Sequence, residues 1–110
     1  MYIVLHEKAL SVNKVWKGRR FKSRDYVLYE RLLLAILPRK PRIGGEIEIR
    51  LRFFLKNCRA TDVDNLIKPL LDILVKKDYI EDDRKIYKLT AEKFHAEKDR
   101  IEIEITPYTP

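Results

Sequence analysis

A single cysteine, Cys58, rules out an intrachain disulfide, and the two histidines, His6 and His95, stand too far apart for Cys/His zinc spacing. Neither a disulfide-stapled scaffold nor a zinc module fits, and the thiol usage is that expected of a reducing, cytoplasmic interior. Long apolar runs are missing too: the longest, Leu32 to Leu37, is six residues between Arg31 and Pro38, against about 20 for a membrane span. Met1-Tyr2-Ile3-Val4-Leu5-His6 carries no basic stretch followed by a long apolar segment and no small-residue cleavage site, so neither export nor a membrane partner is expected. Only three glycines and five prolines are present, which excludes collagen-like and low-complexity chains. What remains, 110 residues that are 45% hydrophobic and 37% charged, reads as one globular domain over 1–110, of a size that hides roughly 65% of its unfolded surface.

Acidic residues are scarce where basic ones are dense. Lys and Arg total 24 against 17 Asp and Glu, and the excess is sorted: residues 1–60 hold 15 bases and 5 acids, residues 61–110 hold 9 and 12. Six bases (Lys14, Lys17, Arg19, Arg20, Lys22 and Arg24) fall within eleven residues, interleaved with Trp16 and Phe21. Charge for a phosphate backbone beside aromatic faces for bases or sugars suits nucleic acid, and the plainer reading is a solvated basic loop with two anchoring aromatics.

Periodicity predicts a β-α-β-α-β-β order, an α+β fold with a mixed sheet and two helices. Residues 2–6 form a short strand, and the stretch from Ser11 through the basic run reads as loop. Ser23 caps a helix from about Arg24 to Leu37, with Leu28, Leu32, Ala35 and Ile36 as its apolar stripe and Pro38 as its stop. Glu46 to Leu55 alternates: Ile47, Ile49, Leu51, Phe53 and Leu55 on one face, Glu46, Glu48, Arg50 and Arg52 on the other. A second helix, about Asn65 to Lys77, places Pro69 near its first turn, where a missing N–H costs little. Ile86 to Phe94 and Ile101 to Thr106 are the remaining strands.

The sharpest feature is Asp62-Val63-Asp64-Asn65-Leu66-Ile67-Lys68, followed by Asp72 and by Glu81-Asp82-Asp83. Two carboxylates two residues apart point the same way on extended backbone just ahead of a helix, and carboxylates without His or Cys select hard ions such as Mg²⁺ or Mn²⁺. Asp64, Lys68 and Asp72 step by four and share one helix face, about 6 Å apart along the axis. On spacing alone the same residues read equally as an N-cap and ion pairs on a solvated face. A calcium loop of the EF-hand type is excluded, because Ile67 and Ile73 stand where it needs Gly and Glu. The second acidic cluster favours a cation, since consecutive like charges repel unless something neutralises them, the alternative being a solvated turn.

The run Asp62 to Asp72, Tyr79-Ile80-Glu81-Asp82-Asp83 beyond it, and Ser11-Val12-Asn13-Lys14-Val15-Trp16 before it resemble the signature of the RusA family of Holliday junction resolvases. The resemblance covers nearly the whole chain and implies a RusA-like fold in a small homodimer that cuts four-way DNA junctions with Mg²⁺, Mn²⁺ being the other candidate ion. By position the family's essential aspartates match Asp62, Asp64 and Asp83 and its essential lysine matches Lys68. Asp82 is a further candidate ligand, because only one of two neighbours on extended backbone can face the metal. DNA contacts are expected from Asn13, Lys14, Lys17, Arg19, Arg20, Lys22, Arg24 and Arg59. The chain departs from the family pattern at Leu10, which lacks the usual nearby Pro; at Thr61, where a basic residue or Pro is common; and at Asp78, which stands where the family has Gly and which tolerates a left-handed conformation at modest cost. The expected dimer surface draws on Leu33, Leu34, Leu37 and Phe54, the alternative being that a second core layer covers them within one subunit. The alternative from another class is a non-catalytic basic nucleic-acid-binding domain.

Overall fold

The computed structural model describes residues 1–11, 16–17 and 21–110, and of residues 16, 17, 21 and 22 the backbone alone. Nine residues of alternating sequence make the central strand. β4 (Ile47–Leu55) buries every odd position, from Ile47 through Leu55, and leaves Glu48, Arg50, Arg52 and Phe54 on the other side. It pairs antiparallel with β6 (Arg100–Pro107), where Ile101, Ile103 and Ile105 are fully buried, and parallel with β5 (Ile86–His95). β1 (Tyr2–Leu5) pairs with the far edge of β6, giving the order β1-β6-β4-β5. A parallel pair needs a crossover, and the chain between β4 and β5 supplies it as α2 (Ile67–Lys76).

This is the expected α+β architecture: a mixed sheet covered on its apolar face by α2 and by α1 (Arg24–Ile36), with a charged outer face. On that outer face Arg50 pairs with Glu104 (3.0 Å) and Arg52 with Glu102 (3.1 Å), directly across the β4–β6 ladder. No described helix is long and apolar enough to cross a membrane. The segment expected to be loop holds a minimal antiparallel ladder, β2 (Trp16–Lys17) with β3 (Phe21–Lys22). Two residues per strand are too few for a periodic signal, so sequence does not reveal it.

Helix α1 begins as expected, the Ser23 side chain accepting from the Tyr26 N–H at 3.2 Å, but it presents the other face to the core. Tyr26, Tyr29, Leu33 and Leu37 are buried, while Leu28, Leu32 and Ile36 are 50%, 42% and 41% exposed and Ala35 is also exposed. The expected stripe is therefore the outer one. Two aromatic side chains carry more apolar area than the aliphatics they displace, and they decide which face turns inward. The same rotation removes most of the expected dimer surface: Leu33 and Leu37 are core, and Phe54 is covered by Phe94 (4.9 Å between ring centres) and by the Arg100 guanidinium (3.9 Å).

Helix α2 ends in a Schellman arrangement, with Tyr79 N–H donating to Leu74 O (3.1 Å) and Asp78 N–H to Val75 O (3.0 Å). That geometry needs a left-handed residue, and Asp78 takes it at φ 68°. Its carboxylate compensates by accepting from Arg42 Nε at 2.9 Å. Asp78→Gly is expected to change stability by less than about 1 kcal/mol, since relief of the backbone cost offsets loss of an exposed ion pair. Asp78→Val should lower it by about 1–2 kcal/mol, read as a shifted urea midpoint at constant slope.

Candidate active site

Beyond β4 the chain makes one turn of 3-10 helix at Cys58–Ala60, passes Asp62 in extended conformation, makes a second such turn at Val63–Leu66 and enters α2. Asp62 stands at the N-cap position of the second turn but makes no capping hydrogen bond. Neither its carboxylate nor that of Asp64 has an ion-pair or hydrogen-bond partner among the described residues, and both residues are exposed. The capping reading therefore fails, and two bare carboxylates are left facing solvent. Asp62 lines a cavity of about 440 Å³, shared with Ser11, Asp25, Tyr29, Asn57 and Asn65.

Lys68, in the first turn of α2, is where distant segments meet. Its ammonium lies 2.9 Å from Asp83 Oδ2 and 3.0 Å from Asp72 Oδ1. The hydrogen bond from Lys68, followed by that with Asp82 and the ammonium's charge, holds the Asp83 carboxyl below the usual range. The Asp83 and Asp72 carboxylates raise the lysine in turn. The ion-pair reading of the four-residue series is thus half right: Lys68 takes Asp72 but bonds Asp83, fifteen residues on, in place of Asp64. Asp83 ionises early and keeps this pair intact across neutral pH. Its contribution is present above the ordinary carboxylate range and is lost only as pH falls through the depressed value.

Asp82 is turned elsewhere. Its Oδ1 accepts the Arg84 N–H at 3.2 Å and caps the turn Asp83–Lys85. Asp82 is the last extended residue and Asp83 the first of the turn, so Asp83 reaches Lys68 while Asp82 caps the turn, and the two carboxyl groups stay close enough to interact. Among the described residues no three His, Cys, Asp or Glu side chains converge as a ready metal cage. The fit to a hard divalent ion rests on donor chemistry instead, because Mg²⁺ is commonly held by one or two carboxylates with substrate phosphates and water supplying the remainder. Asp62 and Asp64 meet that requirement, and Asp82, whose cap engages Oδ1 alone, stays a further candidate ligand.

Arg24 at the start of α1 and Arg59 in the turn before Asp62 are both exposed. Asn13, Lys14, Arg19 and Arg20 lie outside the described residues, as do the side chains of Lys17 and Lys22. A further basic residue, absent from the sequence-based candidates, joins the site from the sheet. Lys93 of β5 reaches back to donate to Cys58 O (2.8 Å) and Thr61 O (2.9 Å), on either side of the first turn. Its signal in the sequence is parity alone: Lys93 pairs with Phe53 on the edge strand β5 and shares a side with Leu89 and Ala91, but it is itself exposed.

A crossover junction endodeoxyribonuclease of Lactococcus phage r1t is 53% identical over 60 residues, covering 54% of this chain and 46% of that protein. One from Aquifex aeolicus is 33% identical over 67 residues, covering 60% and 53%. The chain thus matches about half the length of each of these relatives. The family model of Endodeoxyribonuclease RusA matches residues 8–106, which takes in Asp62, Asp64, Lys68 and Asp83 together. The chain belongs to the RusA endodeoxyribonuclease family.

Proposed function

We propose that this chain is a divalent-metal-dependent endonuclease that resolves four-way DNA junctions by paired phosphodiester hydrolysis. The observation that carries the reading is the Lys68–Asp83 ion pair at 2.9 Å, with Asp62 and Asp64, a few residues ahead of Lys68 in the chain, satisfied by no described protein group. Asp62, Asp64 and Asp83 would hold the ion, for which Mg²⁺ is the first candidate and Mn²⁺ the second. Bound there, it supplies a water of lowered pKa and neutralises charge developing on the phosphorus oxygens. Lys68 offers a compact positive charge to the leaving oxygen, and Asp72 and Asp83 hold that ammonium in place.

Binding falls to the basic segment, together with the exposed Arg24, which follows it in sequence, and Arg59, which precedes Asp62. The other basic surface, Arg50 and Arg52 on the outer sheet face, is already paired with Glu104 and Glu102 and competes poorly for phosphate. Neutralising Lys17, Arg19, Arg20 and Lys22 together is expected to weaken junction binding. It should also flatten the plot of log affinity against log salt by roughly 0.9 for each phosphate no longer neutralised by the protein. An unchanged slope would place DNA elsewhere.

A two-fold substrate calls for a two-fold enzyme. The exposed face of α1, Val27, Leu28, Leu32 and Ile36, offers a contiguous apolar strip for a second copy of the chain, in place of the buried Leu33 and Leu37. Leu28→Glu with Leu32→Glu should give a folded monomer that binds junctions weakly and makes no paired cuts. Sedimentation of a wild-type monomer that cuts symmetrically would contradict the dimer.

The activity itself is tested by incubating a synthetic four-way junction and a linear duplex of the same sequence with the chain in Mg²⁺. Incision of the junction alone, abolished by chelation, is the expected result. Metal-independent binding without incision would favour the non-catalytic DNA-binding domain.

A further inference from the structure

We propose that Lys93 is a positioning residue for the Asp62-Val63-Asp64 segment, fixing the turn that leads into it and so setting its affinity for a divalent metal; the inference rests on the metal-site reading above. The turn is loosely held by its own backbone. Its two closing bonds, Ala60 N–H to Asn57 O and Thr61 N–H to Cys58 O, are both 3.3 Å. Thr61 Oγ1 adds one bond to Asn57 O at 2.9 Å. Against these, the Lys93 ammonium bonds the carbonyls of Cys58 and Thr61 at 2.8 and 2.9 Å, and it does so from a ten-residue strand registered along the whole of β4.

The second of those carbonyls belongs to the peptide that ends at Asp62 nitrogen. Because Asp62 makes no capping bond, its backbone fixes only where the carboxylate is anchored, and the Thr61 carbonyl of the peptide leading into it is tied by Lys93. Lys93 has no carboxylate partner among the described residues, so its two carbonyl bonds are what hold it. A charged donor bridging two carbonyls around a ligand segment acts as the outer partners of metal ligands do: it leaves ligand identity untouched and orders the ligands before the ion arrives.

The test is calorimetric titration of the DNA-free chain with Mn²⁺, beside junction binding and thermal unfolding measured in chelator. Lys93→Met, which keeps the length and removes every donor, is expected to weaken Mn²⁺ binding about tenfold. Lys93→Arg, which can reach both carbonyls with separate N–H groups, should recover most of that loss. Metal-free junction binding and its salt slope should stay at wild-type values in both. Should Lys93→Met fail to fold, Lys93→Gln, with one amide in place of the ammonium, should show an intermediate weakening. Unchanged Mn²⁺ affinity with a flatter salt slope would make Lys93 a phosphate-binding residue, and unchanged affinity with a lower melting temperature would make it only a strand-to-loop tie; either overturns the proposal. A wild-type chain that takes up no Mn²⁺ would overturn the metal-site reading beneath it instead.

Discussion

Asp64→Asn, and equally Asp62→Asn or Asp83→Asn, is expected to cut junction cleavage by about 10³-fold or more, a loss of about 4 kcal/mol of transition-state stabilisation. Junction binding should remain intact or tighten, because each change also removes a negative charge that repels the DNA backbone. The three differ in what else they disturb. Asp62 and Asp64 have no partner among the described residues to lose, so folding stability should be unmoved. Asp83→Asn also frees the Lys68 ammonium from its 2.9 Å ion pair. Asp82→Asn serves as the control, since asparagine can accept from Arg84 N–H as the aspartate does, and activity should stay near wild type. Gel-shift affinity and single-turnover rates on the same junction measure both halves of the expectation. Full activity in Asp83→Asn with loss in Asp82→Asn would reverse the assignment of these two neighbours.

Lys68→Ala should lower the rate by about 10²-fold, the scale on which a single preorganised donor to a developing oxyanion acts. The lysine side chain is 59% exposed, and its pairs with Asp72 and Asp83 are half in solvent, so its stability contribution should be well under about 1 kcal/mol. A large fall in melting temperature would mark it as a structural tie. The pH profile separates the roles further. Lys68 is the first cause of the lowered Asp83 pKa, so its removal lets Asp83 protonate at higher pH. The acid limb of the residual activity should therefore move upward in pH, toward the ordinary carboxylate range.

Much of this is legible in the sequence because the relevant signals are local. β4 alternates over nine residues with no exception inward, and sheet position follows. The left-handed Asp78 is legible only through the resemblance, which puts Gly at that place, and the observed φ of 68° agrees with it. Helix α1 defeats the same logic. From Leu32 to Leu37 it is apolar at every position, so periodicity chooses no face, and Tyr26 and Tyr29 decide by tertiary packing. The candidate site divides in the same way. Spacing draws attention to Asp62, Asp64 and Lys68 and the resemblance makes them candidates, but the meeting of Lys68 with Asp83 depends on how the segment after α2 folds back. The Lys93 bonds likewise depend on the register of a parallel pair, and neither is a property of neighbours in sequence.

The central claim is that Asp62, Asp64 and Asp83 serve one divalent ion. It is tested most directly by Fe²⁺-mediated cleavage of the polypeptide, in which iron substituting for Mg²⁺ generates radicals that cut backbone only near the bound metal. The account predicts fragments ending at residues 62–65 and 82–84 from the same preparation, both suppressed by excess Mg²⁺ and both lost in Asp64→Asn. Cuts confined to one of these segments, or lying elsewhere in the chain, would contradict it.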